Sequence, residues 1–268
     1  MNSKYALVTG ASSGIGKCYA QILARDYHYN LLLVSNQQKE LQDVAEYLST
    51  EYKIKAIPHY CDLARTDAAK QLYDWCREAE YEVDVLINNA GMFFWKTLID
   101  VDPKKIECML LVHMHTLAMM CRYFGEAMCR RGSGYILNMS SLTYKMTFPG
   151  IQCYNSTKAF VYSFSKSLWY EFKPLGVKVC TLTPGAIDTP LYGLNDKARR
   201  LLVRFGISFT PMRFAAIALK RMFKGRKTAM PGWINHIALP IIIHLPDWAI
   251  FFAMKRLPQY EGIYNRRS

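Results

Sequence analysis

Tyr154 and Lys158 stand four residues apart in the stretch CYNSTKAF, residues 153–160, which contains neither Pro nor Gly. On a helix that interval puts both side chains on one face. A tyrosine alone is a poor acid at neutral pH, with an ordinary pKa of about 10. A lysine ammonium ~4 Å from the phenol, at an effective dielectric of about 20, contributes roughly 4 kcal/mol. That is enough to bring the phenol to about 7, where a general acid/base works best. Ser141 lies thirteen residues earlier, at the end of the apolar run GYILNMSS. There a hydroxyl can donate to an oxygen as charge develops on it. The four-residue spacing also suits an ordinary exposed pair, so the elements around it must decide.

The first such element is a glycine turn. TGASSGIG, residues 9–16, follows the apolar run YALVT and opens a helical pattern. Gly10 suits a tight turn, while Gly14 and Gly16 let the backbone approach a pyrophosphate at the helix N-terminus. Ser12, Ser13 and Ile15 complete the loop. The spacing is G-x-x-x-G-x-G and not the standard G-x-G-x-x-G. None of Ser12, Ser13 and Ser141 sits in a G-x-S-x-G elbow, which argues against a serine hydrolase.

Apolar runs at 5–9, 30–35, 54–60, 83–88, 134–141 and 177–185 read as buried strands, with a short seventh in 226–232. Helical patterns at 14–26, 36–50, 66–80, 103–131 and 154–172 fall between them. Strands alternating with helices predict an α/β fold, a parallel sheet of about seven strands covered on both faces. Right-handed crossovers make it a single-domain, doubly wound Rossmann fold. We assign residues 1–232 to that domain and 233–268 to an extension.

The 268 residues carry a net charge of +13, unevenly spread. Residues 1–195 hold 20 Lys/Arg against 18 Asp/Glu, and residues 196–268 hold 14 against 3, a net of +11. Such a basic end fits a solvated face, a nucleic acid, anionic lipid or a phosphorylated substrate. Eight scattered cysteines form no C-x-x-C pair. With a start that runs straight into a strand pattern, this predicts a reducing, cytoplasmic setting without a signal peptide or disulfide framework.

Five landmarks occur in one order: TGASSGIG, CDL at 61–63, NNAG at 88–91, YNSTK at 154–158 and PGAIDT at 184–189. In these the chain resembles the short-chain dehydrogenase/reductase family over about residues 4–232, in the branch that includes hydroxysteroid and long-chain 3-ketoacyl reductases. The Ser141–Tyr154 interval is also the family's. The resemblance implies hydride transfer to a ketone or from a secondary alcohol. It gives Tyr154 the proton, Ser141 the substrate oxygen, and Lys158 the nicotinamide ribose as well. It places Asp62 and Leu63 at the adenine, and Asn89 near the adenosine, with Gly91 leaving space. Pro184, Gly185, Ile187 and Thr189 would hold the nicotinamide region. Asp62 has a plainer alternative as the cap of a helix starting near Thr66. A homodimer or homotetramer is implied, with Met114, Met119 and Met120 in core or dimer contact.

His113 departs from that pattern, standing where many family members carry an asparagine that holds a water chain. Two readings fit. In one, neutral imidazole holds the same water and makes proton relay pH-dependent near 6–7. In the other, it is a satisfied core histidine. His113 and His115 point to different sides of a helix and suggest no metal.

The second strand ends in VSNQQKE, without the acidic residue that would hold the ribose of NAD. Nothing there would repel a 2′-phosphate, which favours NADP(H); Asn36 stands where NADP-dependent members of the family often carry arginine, with Lys39 as a partial substitute and Lys17 adding field. Residues 190–212 are expected to cover a small hydrophobic carbonyl or alcohol substrate, with Arg199, Arg200 and Arg204 meeting an anion or solvent. The apolar stretch 233–257 fits a lid or oligomer contact, a helix lying in a membrane interface, or a span. Pro240, Pro246 and Asp247 argue against a clean span. The expected function is an NADP-dependent oxidoreductase, cytoplasmic or membrane-peripheral, with no nucleic-acid partner. The alternatives are a catalytically weak NADP-binding sensor or scaffold, and a membrane-surface binder using the basic end.

Overall fold

The computed structural model describes residues 4–185, 209–231, 240, 243–256 and 260. Seven strands form one parallel sheet: β1 (Lys4–Thr9), β2 (Asn30–Ser35), β3 (Ala56–Tyr60), β4 (Glu82–Asn88), β5 (Gly134–Met139), β6 (Val177–Leu182) and β7 (Thr228–Ala229). Their order is β3-β2-β1-β4-β5-β6-β7. The chain winds outward from β1 to β3, then returns to place β4 on the other side of β1. The C-terminal ends of β1 and β4 therefore flank the switch point, where a doubly wound sheet opens a crevice.

Alternation along the strands explains why both faces need covering. Ala6 and Val8 point to one face with Leu31 and Leu33, and Tyr5 and Leu7 to the other with Leu32 and Val34. Helices α1 (Gly14–Tyr27), α2 (Gln38–Tyr52) and α7 (Pro211–Phe223) cover the first. Helices α3 (Ala68–Glu78), α5 (Leu117–Arg131) and α6 (Gln152–Phe172) cover the second. Each Leu or Ile sealed between the layers contributes about 1.5–3 kcal/mol.

Two differences from the sequence reading matter. The predicted helix over 103–131 is not continuous. Asp102 caps α4 (Pro103–Leu110), a wide π-helical turn follows at Leu111–Thr116, and only then does α5 begin. No Pro or Gly marks the break; side-chain anchoring holds it open, as shown below. The second difference is α7, which the sequence reading left unassigned. Thr210 caps it, Pro211 opens it, and Phe214, Ala215, Ala218, Leu219 and Met222 form its buried stripe.

Strand ends also shift. The apolar run at 134–141 stops pairing at Met139, because Ser140 and Ser141 turn away into a 3-10 turn at Leu142–Lys145. Near the C-terminus lies α8 (Asp247–Arg256). Among the described residues, no helix is long and apolar enough to cross a membrane. Most of the expected substrate-covering segment 190–212 lies outside the described residues, as do Ile187 and Thr189.

Candidate active site

A cleft of about 470 Å³ opens at the switch point. The glycine turn forms one end, through Gly10, Ser12, Ser13, Gly14 and Ile15. Gly10 holds φ +67°, a left-handed conformation that costs glycine nothing. Gly16 is needed for a different reason: a Cβ there would lie 2.0 Å from the Gly10 carbonyl oxygen. α1 therefore starts hard against the turn. Ser13 makes no side-chain cap, and no acid stands in the first turn of α1. The N-terminal amides and the positive end of the helix dipole are left for an anion.

The turn is braced on both sides. Ser12 donates to Gln37 Oε1 at 2.7 Å, and its oxygen lies 2.9 Å from Ser35 Oγ. Ser35 Oγ in turn accepts from the Gln37 amide at 3.2 Å. On the β4 side, Asn89 Nδ2 donates to the Thr9 carbonyl at 3.0 Å. Asn89 and Gly91 line the cleft, with Asn36, Asp62 and Leu63 around its far wall. Asp62 does not cap α3; its carboxylate accepts from the Ala64 amide at 3.0 Å and stays exposed. A dinucleotide fits this set of residues: glycines that give backbone access, an uncapped helix start and an open carboxylate. Opening the Gly10–Gly16 contact would cost about 1–3 kcal/mol. Gly16→Ala is therefore expected to weaken NADPH binding roughly ten- to a hundredfold. Fluorescence titration reads this, and unchanged affinity would deny the close packing any part in binding.

At the other end, Tyr154, Lys158, Met139, Ser140 and Pro184 form the wall. Tyr154 and Lys158 share the inner face of α6 and are 5% and 6% exposed. The Lys158 ammonium lies 5.4 Å from the centre of the Tyr154 ring and donates to the Met139 carbonyl at 2.9 Å. Burial pushes it down to about 8. The phenol ring is held edge-on by Phe93 at 5.0 Å and His113 at 5.8 Å.

The two serines divide their work. Ser140 donates to the Lys158 carbonyl at 2.7 Å, tying α6 to β5. Ser141 Oγ accepts from the Thr143 amide at 3.2 Å and sits 3.1 Å from the Thr143 hydroxyl. With Thr143 donating, the Ser141 proton is used by neither contact, but Ser141 is buried and, unlike Ser140, is not among the residues that line the cleft. Pro184 fixes the facing loop by accepting from the Leu142 amide at 2.7 Å, and the half-buried Gly185 follows it.

His113 has both ring nitrogens engaged. Nε2 accepts from the Met92 amide at 3.0 Å, and Nδ1 lies 2.9 Å from Thr157 Oγ1. Nδ1 must then carry the proton and donate. Thr157 passes its own proton to the Tyr154 carbonyl at 2.8 Å. Burial, and secondarily the Lys158 charge, hold His113 well below the ordinary histidine range. It stays neutral near pH 6–7, so the expected pH-dependent relay through this ring does not arise, and no ring nitrogen is free for a water. Of the two readings, the geometry matches the satisfied core histidine.

The ring also props the π-helical turn, helped by Thr116, which donates to the Leu63 carbonyl at 2.8 Å. His113→Asn would leave one buried group unpaired, at about 1–3 kcal/mol. It is expected to lower the melting temperature by several degrees and to keep turnover within about tenfold. A hundredfold loss in a folded, cofactor-binding variant would place the ring in the chemistry.

Sequence reasoning missed Gln37, Met92, Phe93 and Ser140. Only adjacency to Asn36, NNAG and Ser141 pointed toward them. Tyr154's neighbours on α6, Asn155, Ser156 and Ala159, face a separate groove of about 530 Å³ that also meets Leu98, Met146, Phe148 and Tyr260. Among the described residues no cluster of His, Cys, Asp and Glu could hold a metal.

A family model described as short chain dehydrogenase matches residues 4–199. A very-long-chain 3-oxoacyl-CoA reductase of Danio rerio is 31% identical over 279 residues, covering 98% of this chain and 81% of that protein. The 17-beta-hydroxysteroid dehydrogenase type 3 of Mus musculus is 31% identical over 260 residues, covering 93% and 78%. Among solved structures, a short-chain dehydrogenase from Sphingobium yanoikuyae in complex with NADPH superposes with a TM-score of 0.78. It has 25% identity, over 96% of this chain and 98% of that one.

Proposed function

Because the chain belongs to the short-chain dehydrogenase family, we propose that it is an NADP-dependent reductase of hydrophobic ketones, with Tyr154 as its general acid/base. Membership makes it an oxidoreductase that acts on CH–OH or C=O groups with a nicotinamide dinucleotide. The observation that carries the finer reading is one cleft whose wall holds both the Gly10–Gly14 turn and the Tyr154–Lys158 pair.

The bound nicotinamide supplies or takes up the hydride. The chain's residues do the rest. The turn and the start of α1 receive the pyrophosphate. Ser141 offers its unused proton to the substrate oxygen, and Tyr154 donates its phenolic proton as that oxygen becomes an alkoxide. Below about pH 8 the Lys158 ammonium is charged and favours the phenolate left behind. In the reverse direction Tyr154 accepts the proton.

A hydrophobic substrate suits the aromatic ring beside the phenol, Phe93, which packs edge-on against Tyr154 at 5.0 Å. The two curated relatives are named for long-chain acyl and steroid substrates. NADP is favoured because β2 ends without a carboxylate. Asn36 lines the cleft there, and with Oε1 held by Ser12, Gln37 keeps its NH2 donors for a 2′-phosphate. Asn36→Asp would set a like charge beside that phosphate. It is expected to weaken NADPH at least about tenfold relative to NADH, measured by parallel titrations. An unchanged ratio would remove Asn36 from cofactor choice. Phe160 and Phe164, stacked at 5.5 Å on α6 and only partly buried against the core, suit a homodimer or homotetramer contact.

The test is NADPH oxidation over a panel of hydrophobic ketones and 3-ketoacyl esters. Turnover on the panel supports the reading. Tight NADPH binding with no turnover anywhere would shift it to a cofactor-binding sensor.

A further inference from the structure

We propose that α8 docks this chain onto the interface of an anionic bilayer. Trp248, Phe251, Phe252 and Lys255 recur at helical spacing, so they share one stripe. The three aromatics are 71%, 60% and 52% exposed, and Ile243 and Leu245 just before them are 36% and 38% exposed. Five large apolar side chains in one short stretch are not the scattered apolar residues of an ordinary surface.

Charge identifies the occupant. Residues 196–268 carry 14 Lys/Arg against 3 Asp/Glu. On α8 itself Asp247 is the one acid, at the N-terminal end, while Lys255 and Arg256 close the C-terminal end. The Arg256 guanidinium stacks 4.0 Å from the centre of the Phe252 ring. This sequence puts aromatic bodies at the hydrocarbon boundary and cations at the headgroups, the arrangement of an in-plane interfacial helix. Ten residues span about 15 Å, half of a bilayer core of about 30 Å, so the helix lies in the plane. A second copy of the same chain end would bring +11 against +11, whereas acidic lipid neutralises it.

The helix is also tethered to the body of the enzyme. Tyr260, four residues past Arg256, is fully buried. It donates to the Pro149 carbonyl at 2.7 Å and accepts from Trp95 Nε1 at 3.1 Å. Trp95 is two residues from Phe93, which packs on Tyr154. A docked α8 would thus hold the active-site rim close to a source of apolar substrate. The docking itself does not depend on what the site reduces.

Full-length protein is mixed with vesicles of phosphatidylcholine alone, or of phosphatidylcholine with phosphatidylserine, and sedimented. Wild type is expected to pellet with the phosphatidylserine vesicles and to be released at high salt. A Trp248→Ser/Phe251→Ser/Phe252→Ser variant should partition at least about a hundredfold more weakly. Lys255→Glu/Arg256→Glu should do so about tenfold more weakly. NADPH binding and melting temperature establish that each variant is folded, and the charge variant carries the test if the aromatic one is not. Wild type left in the supernatant overturns the proposal, as do folded variants that pellet like wild type. Size-exclusion chromatography reads the other occupant: an oligomer lost in the aromatic variant, without vesicle binding by wild type, gives the face to a second copy.

Discussion

Tyr154→Phe is expected to lower ketone turnover by roughly 10²–10⁴-fold, the range lost when a positioned proton donor is removed. NADPH affinity and melting temperature should barely change. The phenylalanine ring keeps the edge contacts with Phe93 and His113. What disappears is the phenolic proton of a ring whose centre lies 5.4 Å from a buried ammonium, the proton that the proposed mechanism transfers. The effect should fall on kcat and on kcat/KM alike, because the proton moves in the transition state and not on binding. Steady-state kinetics with one hydrophobic ketone suffice. Turnover within about tenfold of wild type would mean the proton comes from elsewhere.

Lys158→Met should cost comparable turnover and yet make the free protein more stable. The ammonium is buried, and its pKa falls from 10.5 to about 8 because burial penalises the charged form. That difference corresponds to roughly 3 kcal/mol of strain in the folded state at neutral pH. Losing the hydrogen bond to the Met139 carbonyl returns about 1 kcal/mol. The net gain of about 2 kcal/mol should raise the melting temperature by several degrees.

The sign sets the pH window. The folded pKa lies below the unfolded one, so the unfolded chain holds more protons between about 8 and 10.5. Wild type therefore recovers stability as pH rises through that interval. Its deficit against the methionine variant is full below pH 8 and gone by about 10.5. Thermal melts across pH 6–11 read both limbs. A variant less stable than wild type at pH 7 would mean that the lysine's contacts outweigh its desolvation. A functional group held at a cost in stability is a familiar trade in active sites.

The legible parts of this molecule were those where one residue type answers to one physical need. NLLLVS could only be a strand buried on both faces, and it is β2 to the residue. The glycines of TGASSGIG announced a turn too tight for side chains, and the Gly10–Gly16 approach bears that out. The interval between Tyr154 and Lys158 predicted a shared helix face, and the pair does line one cleft wall.

The less legible parts depended on partners far along the chain. Nothing local in LLVHMHTL signals a π-helical turn. Its cause lies in Met92, Thr157 and Leu63, which receive or supply the hydrogen bonds of His113 and Thr116. Ser140 and Ser141 are the same residue type side by side, and only the turn after β5 decides which is tied to α6. Helix α7 was legible in principle, since Thr210, Pro211 and the Phe214–Met222 stripe are ordinary start and periodicity signals.

The wide turn at Leu111–Thr116 accommodates one residue more than an α-helical path would. Each residue advances an α-helix by about 100°, so a regular helix through all these residues would turn the stripe of Met120, Cys121 and Phe124 out of line with Met109 by about that angle. The wide turn absorbs the extra residue and keeps both stripes on the core side. Removing one residue there would let the helix close into a regular one with those stripes still aligned, and the cost would fall on the anchors that His113 and Thr116 make to Met92, Thr157 and Leu63. This part of the fold is thus specified by a count as well as by an alphabet: one residue between Asp102 and Gly132 is surplus to a regular helix, and the wide turn is where it goes.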